Sequence, residues 1–167
     1  FLNGSINAGK TTVAKVIAGR IPRTVIFEPD AIAQMMPDLP IQEKLPTIHA
    51  LIPDMIRGFV HDGFNVVIPY PISNMTYVIL QEQLRDLGQI MHIFTLAPTL
   101  EHALQNRGTR DLSEREKERI RHHYNVGIPA PSFGAIIDNS AQTPEQTAEK
   151  ILQLLIEAIS PKPLSKP

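Results

Sequence analysis

Apolar residues along this chain fall into two patterns. The first is a set of short continuous runs: Val25-Ile26-Phe27, Val66-Val67-Ile68 and Ala135-Ile136-Ile137. Continuous rather than alternating runs of this length mark strands buried on both faces. They predict strands at Phe1–Leu2, Arg23–Glu28, Asn65–Ile68, Gln89–Leu96 and Ala135–Asp138. The second pattern has helical spacing. Val13, Val16 and Ile17, with Ala14 and Ala18 between them, predict a helix closed by Gly19. Asp30 is placed to cap a short helix over Ala31–Met36, stopped by Pro37. Leu45, Ile48, Leu51, Ile52, Met55, Ile56 and Phe59 predict helix across Ile41–His61, interrupted at Pro46 and Pro53 and ended by Asp62-Gly63.

The second half continues the alternation. Ser73 or Asn74 caps a helix reaching Leu87, with Gly88 at its end, and Thr99–Gln105 is a short helix. Two capping boxes, Ser113 with Glu116 and Thr143 with Gln146, open helices to about Tyr124 and Ile159, and Pro144 suits the first turn of the latter. Strands alternating with helices imply an α/β fold whose parallel sheet carries helices on both faces. Ligands of such sheets bind at the carboxyl ends of the strands. The informative loops are therefore those opening at Gly4, Glu28, Pro69, Ala97 and Asn139.

Length sets the expectation of one domain over residues 1–159, since 167 residues bury a real core, with a tail at 160–167 holding three prolines and two lysines. A net charge of −1 with no block of one sign argues against a nucleic-acid partner. Without cysteine there is no disulfide or thiolate metal site. With no 18-residue apolar run, no membrane span is expected, and a cytoplasmic location is the reading. Only three residues precede Gly4, so we expect a short further piece of chain before Phe1. Oligomeric state leaves no signature.

The chemistry is concentrated at the start. Gly4-Ser5-Ile6-Asn7-Ala8-Gly9-Lys10-Thr11 fits G-x-x-x-x-G-K-[ST], the Walker A or P-loop pattern, between an apolar strand and a helix. Such a loop turns its backbone N–H groups onto phosphate oxygens, and the helix behind it adds its positive end. Gly4, Ser5, Asn7, Ala8, Gly9, Lys10, Thr11 and Thr12 are the expected nucleotide contacts. Lys10 would reach the β- and γ-phosphates of ATP and Thr11 would hold Mg²⁺.

Phosphoryl transfer further needs a carboxylate for the acceptor and cations over the transferring group. Asp30 follows the second strand and opens onto the same crevice, so it is the expected base or acceptor anchor. Glu28, on the same side of the extended segment, is the expected partner of Mg²⁺ through a water. Arg107 and Arg110 flank Gly108 in a basic loop, where they can act as a lid over the phosphates, Arg107 also touching the nucleotide. Arg115, Lys117, Arg119 and Arg121 read as an exposed helix face. Arg57 offers an anion contact or a surface role, while Met35, Met36, Phe59 and Tyr70 offer an apolar pocket or plain core. His122 and His123 are adjacent and point apart on a helix, which disfavours a metal site. Asn139, Ser140 and Gln142 follow the fifth strand and can meet the adenine edge.

With the Gly4 loop, the Asp30 turn and the Arg107–Arg110 loop in this order, the chain resembles the P-loop small-molecule and nucleotide kinases. Shikimate kinase, gluconate kinase and the chloramphenicol phosphotransferase and tunicamycin-resistance type proteins are the groups it is most similar to. The resemblance implies a three-layer P-loop fold with a five-stranded parallel sheet in the order 2-3-1-4-5 and a small lid around residues 106–124. It also implies ATP and Mg²⁺ as partners, with γ-phosphate transfer to a hydroxyl of a small molecule, a metabolite or an antibiotic. Two departures stand out. Glu28-Pro29-Asp30 replaces the usual Asp-x-Asp, and Pro69-Tyr70-Pro71 replaces an acidic or glycine-rich end of strand three, which argues against shikimate itself. Two alternatives remain: a nucleoside or nucleotide kinase with Arg57 as a contact, and a nucleotide-binding regulatory module without transfer.

Overall fold

The computed structural model describes residues 1–87, 91–106 and 111–160. Strands β1 (Leu2–Gly4), β2 (Thr24–Ile26), β3 (Asn65–Val67), β4 (Phe94–Leu96) and β5 (Ala135–Ile137) alternate with helices. The helices are α1 (Lys10–Arg20), α2 (Asp30–Gln34), α3 (Ile41–His61), α4 (Asn74–Gln83), α5 (Leu100–Ala103), α6 (Glu114–Asn125) and α7 (Pro144–Ile159). All strand pairs are parallel, so every carboxyl end opens on one edge.

The expected single five-stranded sheet in the order 2-3-1-4-5 does not form. The strands make two ladders, β1-β4-β5 and β2-β3. One parallel bridge, Leu2 to Pro69, links them, through Leu2 N–H to the Ile68 carbonyl at 2.9 Å and Tyr70 N–H to the Leu2 carbonyl at 3.1 Å. The next N–H on the β1 side, Ile72, goes to Asn3 Oδ1 at 2.7 Å instead of to the strand backbone, while Pro69 and Pro71 face the β2 side, where they have no N–H to give.

Strand alternation separates two apolar layers. Val25, Val66 and Ile93 join Ile32 of α2, Ile48, Ile52 and Ile56 of α3, and Leu80 of α4. Ile26, Val67, Phe94 and Leu96 join Val13, Ala14 and Ile17 of α1 and Ala148 and Ile151 of α7. Helices therefore cover both faces. Among the described residues no helix is long and apolar enough to cross a membrane.

Several elements differ from expectation. α3 runs unbroken through Pro46 and Pro53. Each internal proline costs about 3 kcal/mol. Burying Ile48, Ile52 and Ile56, one turn apart on one face, gains about 2–3 kcal/mol apiece, so burial wins. α1 passes through Gly19 and ends at Ile21, whose extended φ of −104° and ψ of 117° is what a residue before proline prefers. The fourth strand is shorter than expected; Gln89 and Ile90 lie outside the described residues. α4 gives way at Leu84 to a 3₁₀ turn over Arg85–Leu87, and Gly88 is also outside them.

One buried side chain ties this edge together. Asn3, fully buried in β1, donates to Thr95 Oγ1 at 3.1 Å and to the Ile128 carbonyl at 3.3 Å. Its Oδ1 accepts the Ile72 N–H at 2.7 Å, fixing the segment after β3 beside the first loop. Replacing it with alanine strands three buried partners. Asn3→Ala is expected to lower unfolding stability by about 3 kcal/mol in urea titrations. A change below about 1 kcal/mol would show that the network carries little.

Candidate active site

The loop between β1 and α1 bends through left-handed backbone at three positions: Gly4 at φ 136°, Asn7 at φ 62° and Gly9 at φ 90°. A Cβ on Gly4 would sit 2.4 Å from the Leu96 carbonyl oxygen, so only glycine fits there. Asn7 tolerates its conformation and donates to the carbonyls of Ala103 and Gln105, both at 2.9 Å. Asn139 Nδ2 holds the Ala8 carbonyl at 3.0 Å. Ser5 and Ala8 are fully buried. The Lys10 ammonium donates to the carbonyls of Gly4 at 3.0 Å and Ser5 at 2.7 Å.

α1 starts at Lys10 with no side-chain cap and no acidic residue in its first turn. The N–H groups of that turn, which holds Thr11 and Thr12, thus converge with the Lys10 ammonium. This donor set fits a polyphosphate. The Thr11 hydroxyl and the exposed Glu28 carboxylate are oxygen donors of the type Mg²⁺ accepts.

α6 packs against the loop. Ile6 lies on the small cluster of Ala103, Leu112 and Ile120, and the Tyr124 hydroxyl donates to the Pro98 carbonyl. The capping box of Ser113 and Glu116 fixes the start of this helix. One turn apart on it are Arg119, which is exposed, and His123, which is half-buried against the loop. His123 Nδ1 is 3.4 Å from Ser5 Oγ. Burial, then the charges of Lys10 and Arg119 and the neighbouring His122, push the His123 imidazole from 6.5 down to about 4. His123 was not singled out for this site from sequence, and Arg119 is exposed, as expected of a charged helix face. The usable signal was spacing: Arg119 and His123 flank Ile120 and Tyr124, the apolar stripe of α6. Arg107 and Arg110 lie outside the described residues.

Asp30 is the first residue of α2 and not its cap. Pro29, already helical at φ −60°, takes the cap position, and no side chain caps the helix. Tyr70 is buried, with its hydroxyl 3.4 Å from His49 Nε2. Burial and the negative charge of Asp30 push the Tyr70 phenol up to about 12, with Arg119 opposing. The charge of Arg119 thus reaches both Tyr70 and His123.

Other candidates lie elsewhere. Met35 is 77% exposed and lines a groove with Glu28, Ala31, Leu51 and Met55, while Phe59 and Met36 pack on the core. Arg57 is paired with Asp54 at 3.0 Å and Asp86 at 2.9 Å and donates to the Gln83 carbonyl, clamping α3 to the turn after α4. Ser140 donates to Asp138 at 2.6 Å and accepts the Thr99 N–H at 2.9 Å. Gln142 accepts from Thr147 at 3.0 Å. These two residues serve their own loop, and Asn139 braces the phosphate loop.

The unfolded chain takes up the His123 proton near pH 6.5 and the folded chain near pH 4. The folded pKa is depressed, so the stability held by neutral His123 is present above pH 6.5 and is lost as pH falls towards 4. His123→Gln is expected to flatten the decline of the urea midpoint over that window. A decline as steep as in the wild type would contradict this placement.

No family model matches the sequence, and neither does any curated protein. Solved structures do match over nearly the whole chain. The tunicamycin resistance protein of Deinococcus radiodurans is 24% identical, with a TM-score of 0.68 and 93% of each chain covered. Shikimate kinase from Acinetobacter baumannii, in complex with shikimate, is 20% identical with a TM-score of 0.66, covering 96% of this chain and 93% of that one. Mycobacterium tuberculosis APS kinase, in complex with AMPPNP and APS, is 13% identical with a TM-score of 0.63, covering 93% and 95%. The structural neighbours of this chain are P-loop-type kinases, and it shares their fold.

Proposed function

We propose that this protein is an ATP-dependent phosphotransferase that moves the γ-phosphoryl group of ATP to a hydroxyl of a small molecule, a metabolite or an antibiotic. The observation that carries the reading is a loop bent around Gly4 and Gly9 and backed by an uncapped helix, with Asp30 across the same strand edge. Backbone N–H groups of the loop and Lys10 hold the β- and γ-phosphates. Thr11, with Glu28 through a water, would hold Mg²⁺, which when bound neutralises charge on the phosphates.

Asp30 orients the acceptor hydroxyl and takes its proton. The acceptor oxygen forms the new bond to phosphorus as the bond to the β-phosphate oxygen breaks, and ADP leaves. Arg119, whose charge reaches His123 beside the loop, adds positive charge on the phosphate side. Arg107 and Arg110 are proposed to close over the phosphates as part of a lid in the single domain, and the reaction is placed in the cytoplasm. A nucleotide acceptor would need a cation for its own phosphate. Arg57, the residue expected to supply it, is committed to Asp54 and Asp86.

The test measures ADP formation with a panel of hydroxylated metabolites and antibiotics. Asp30→Asn is expected to lower kcat by roughly 10²–10⁴-fold while the KM for ATP changes little. Unchanged kcat removes Asp30 from the reaction. Nucleotide binding without ADP formation from any acceptor would leave a regulatory module instead.

A further inference from the structure

Three consecutive residues of the loop between β1 and α1 hold on to one segment of chain, the one running from α5 to α6. Ser5 Oγ is 3.4 Å from His123 Nδ1 on α6. Ile6 packs on Ala103, Leu112 and Ile120, a small apolar cluster whose other members, Leu104 and Tyr124, belong to the same segment. Asn7 donates from its side-chain amide to the Ala103 and Gln105 carbonyls, both at 2.9 Å. These carbonyls stand where α5 ends, so the helix itself supplies them no N–H. The amide has two N–H groups, one for each. Its donors are thus committed to α5, although the sequence placed Asn7 among the nucleotide contacts.

The anchor is braced in turn. Next to Gln105, the Asn106 side chain donates to Asp111 Oδ1 at 2.9 Å and accepts the Leu112 N–H at 3.0 Å, and Leu112 belongs to the cluster that receives Ile6. The loop needs such an anchor at this point. Asn7 has a left-handed backbone, φ 62°, which asparagine tolerates without favouring it. A loop that samples several conformations binds its ligand only in proportion to the competent fraction. Holding the bend in advance removes that loss.

Resting on the phosphate-binding role proposed above, we propose that Asn7 is a positioning residue for the nucleotide. Its side chain ties the phosphate loop to the end of α5 and keeps the bend ready for a polyphosphate. It therefore sets nucleotide affinity without its side chain touching the nucleotide.

The experiment titrates the full chain with AMPPNP and Mg²⁺ by calorimetry and records melting curves without ligand. Wild type is compared with Asn7→Gly and Asn7→Asp. Glycine accepts the left-handed backbone and removes both bonds. It also relieves the strain, which offsets the lost bonds, so the ligand-free melting midpoint is expected to match the wild type. Aspartate keeps the shape and the tolerance for this backbone but sets an acceptor against two carbonyls. Each variant is expected to raise the Kd for AMPPNP roughly tenfold. Aspartate also adds a charge near the phosphates. The titrations are therefore repeated at about 0.1 M and about 1 M salt, where screening lengths are about 10 Å and 3 Å. The ratio of Asn7→Asp to wild type is expected to persist at the higher salt.

A wild-type Kd in Asn7→Gly, whatever its melting midpoint, shows that the side chain does not position the loop and overturns this inference. An Asn7→Asp ratio that falls to one at high salt reduces its effect to charge and overturns it too. Either result leaves the kinase reading standing if the wild type binds AMPPNP. Absence of binding in the wild type overturns the kinase reading and this inference with it.

Discussion

The backbone bend between β1 and α1 constrains everything around it. Within six residues the chain turns left-handed at Gly4, Asn7 and Gly9, and a side chain at Gly4 would strike the Leu96 carbonyl. A left-handed non-glycine residue costs roughly 1–2 kcal/mol, so the bend needs outside support. Asparagine supplies it repeatedly. Asn3 locks the strand below, Asn7 grips the end of α5, and Asn139 holds the Ala8 carbonyl from the loop after β5. Each uses a short side chain whose amide can satisfy backbone groups that cannot reach one another.

From that bend follows the division of charge across the strand edge. Lys10 and the amide groups opening α1 stand on one side. Asp30 opens α2 at the end of β2, and the Tyr70 hydroxyl after β3 meets His49. Pairing between β1 and the segment after β3 stops at one bridge because the Ile72 N–H turns to the Asn3 side chain, which leaves Tyr70 and Ile72 placed by individual bonds to Leu2 and Asn3. A regular ladder there would fix the direction of every side chain by pleat alone.

Features written in local chemistry were legible in the sequence. The strand, loop and helix around Gly4–Thr11, the Ser73 cap and both capping boxes depend on residues within a few positions, and each forms as expected. Features set by distant packing were not. Pro46 and Pro53 predict an interruption, yet the core claims Ile48, Ile52 and Ile56 and carries α3 through. Gly19 looks like a helix end, but Pro22 sets the true one through Ile21. The charge run on α6 hid His123, because a solvated face and a site face carry the same residue types and only the buried stripe tells them apart. Arg57 could not be assigned without Asp86, 29 positions away.

The most direct test is a crystal structure grown with AMPPNP and Mg²⁺. The account requires the β- and γ-phosphate oxygens to lie within hydrogen-bond distance of backbone N–H groups of residues 5–11 and of the Lys10 ammonium, with the Asp30 carboxylate facing the γ-phosphate. A nucleotide bound elsewhere, or a loop that keeps Lys10 on the Gly4 and Ser5 carbonyls with no phosphate before it, would contradict it.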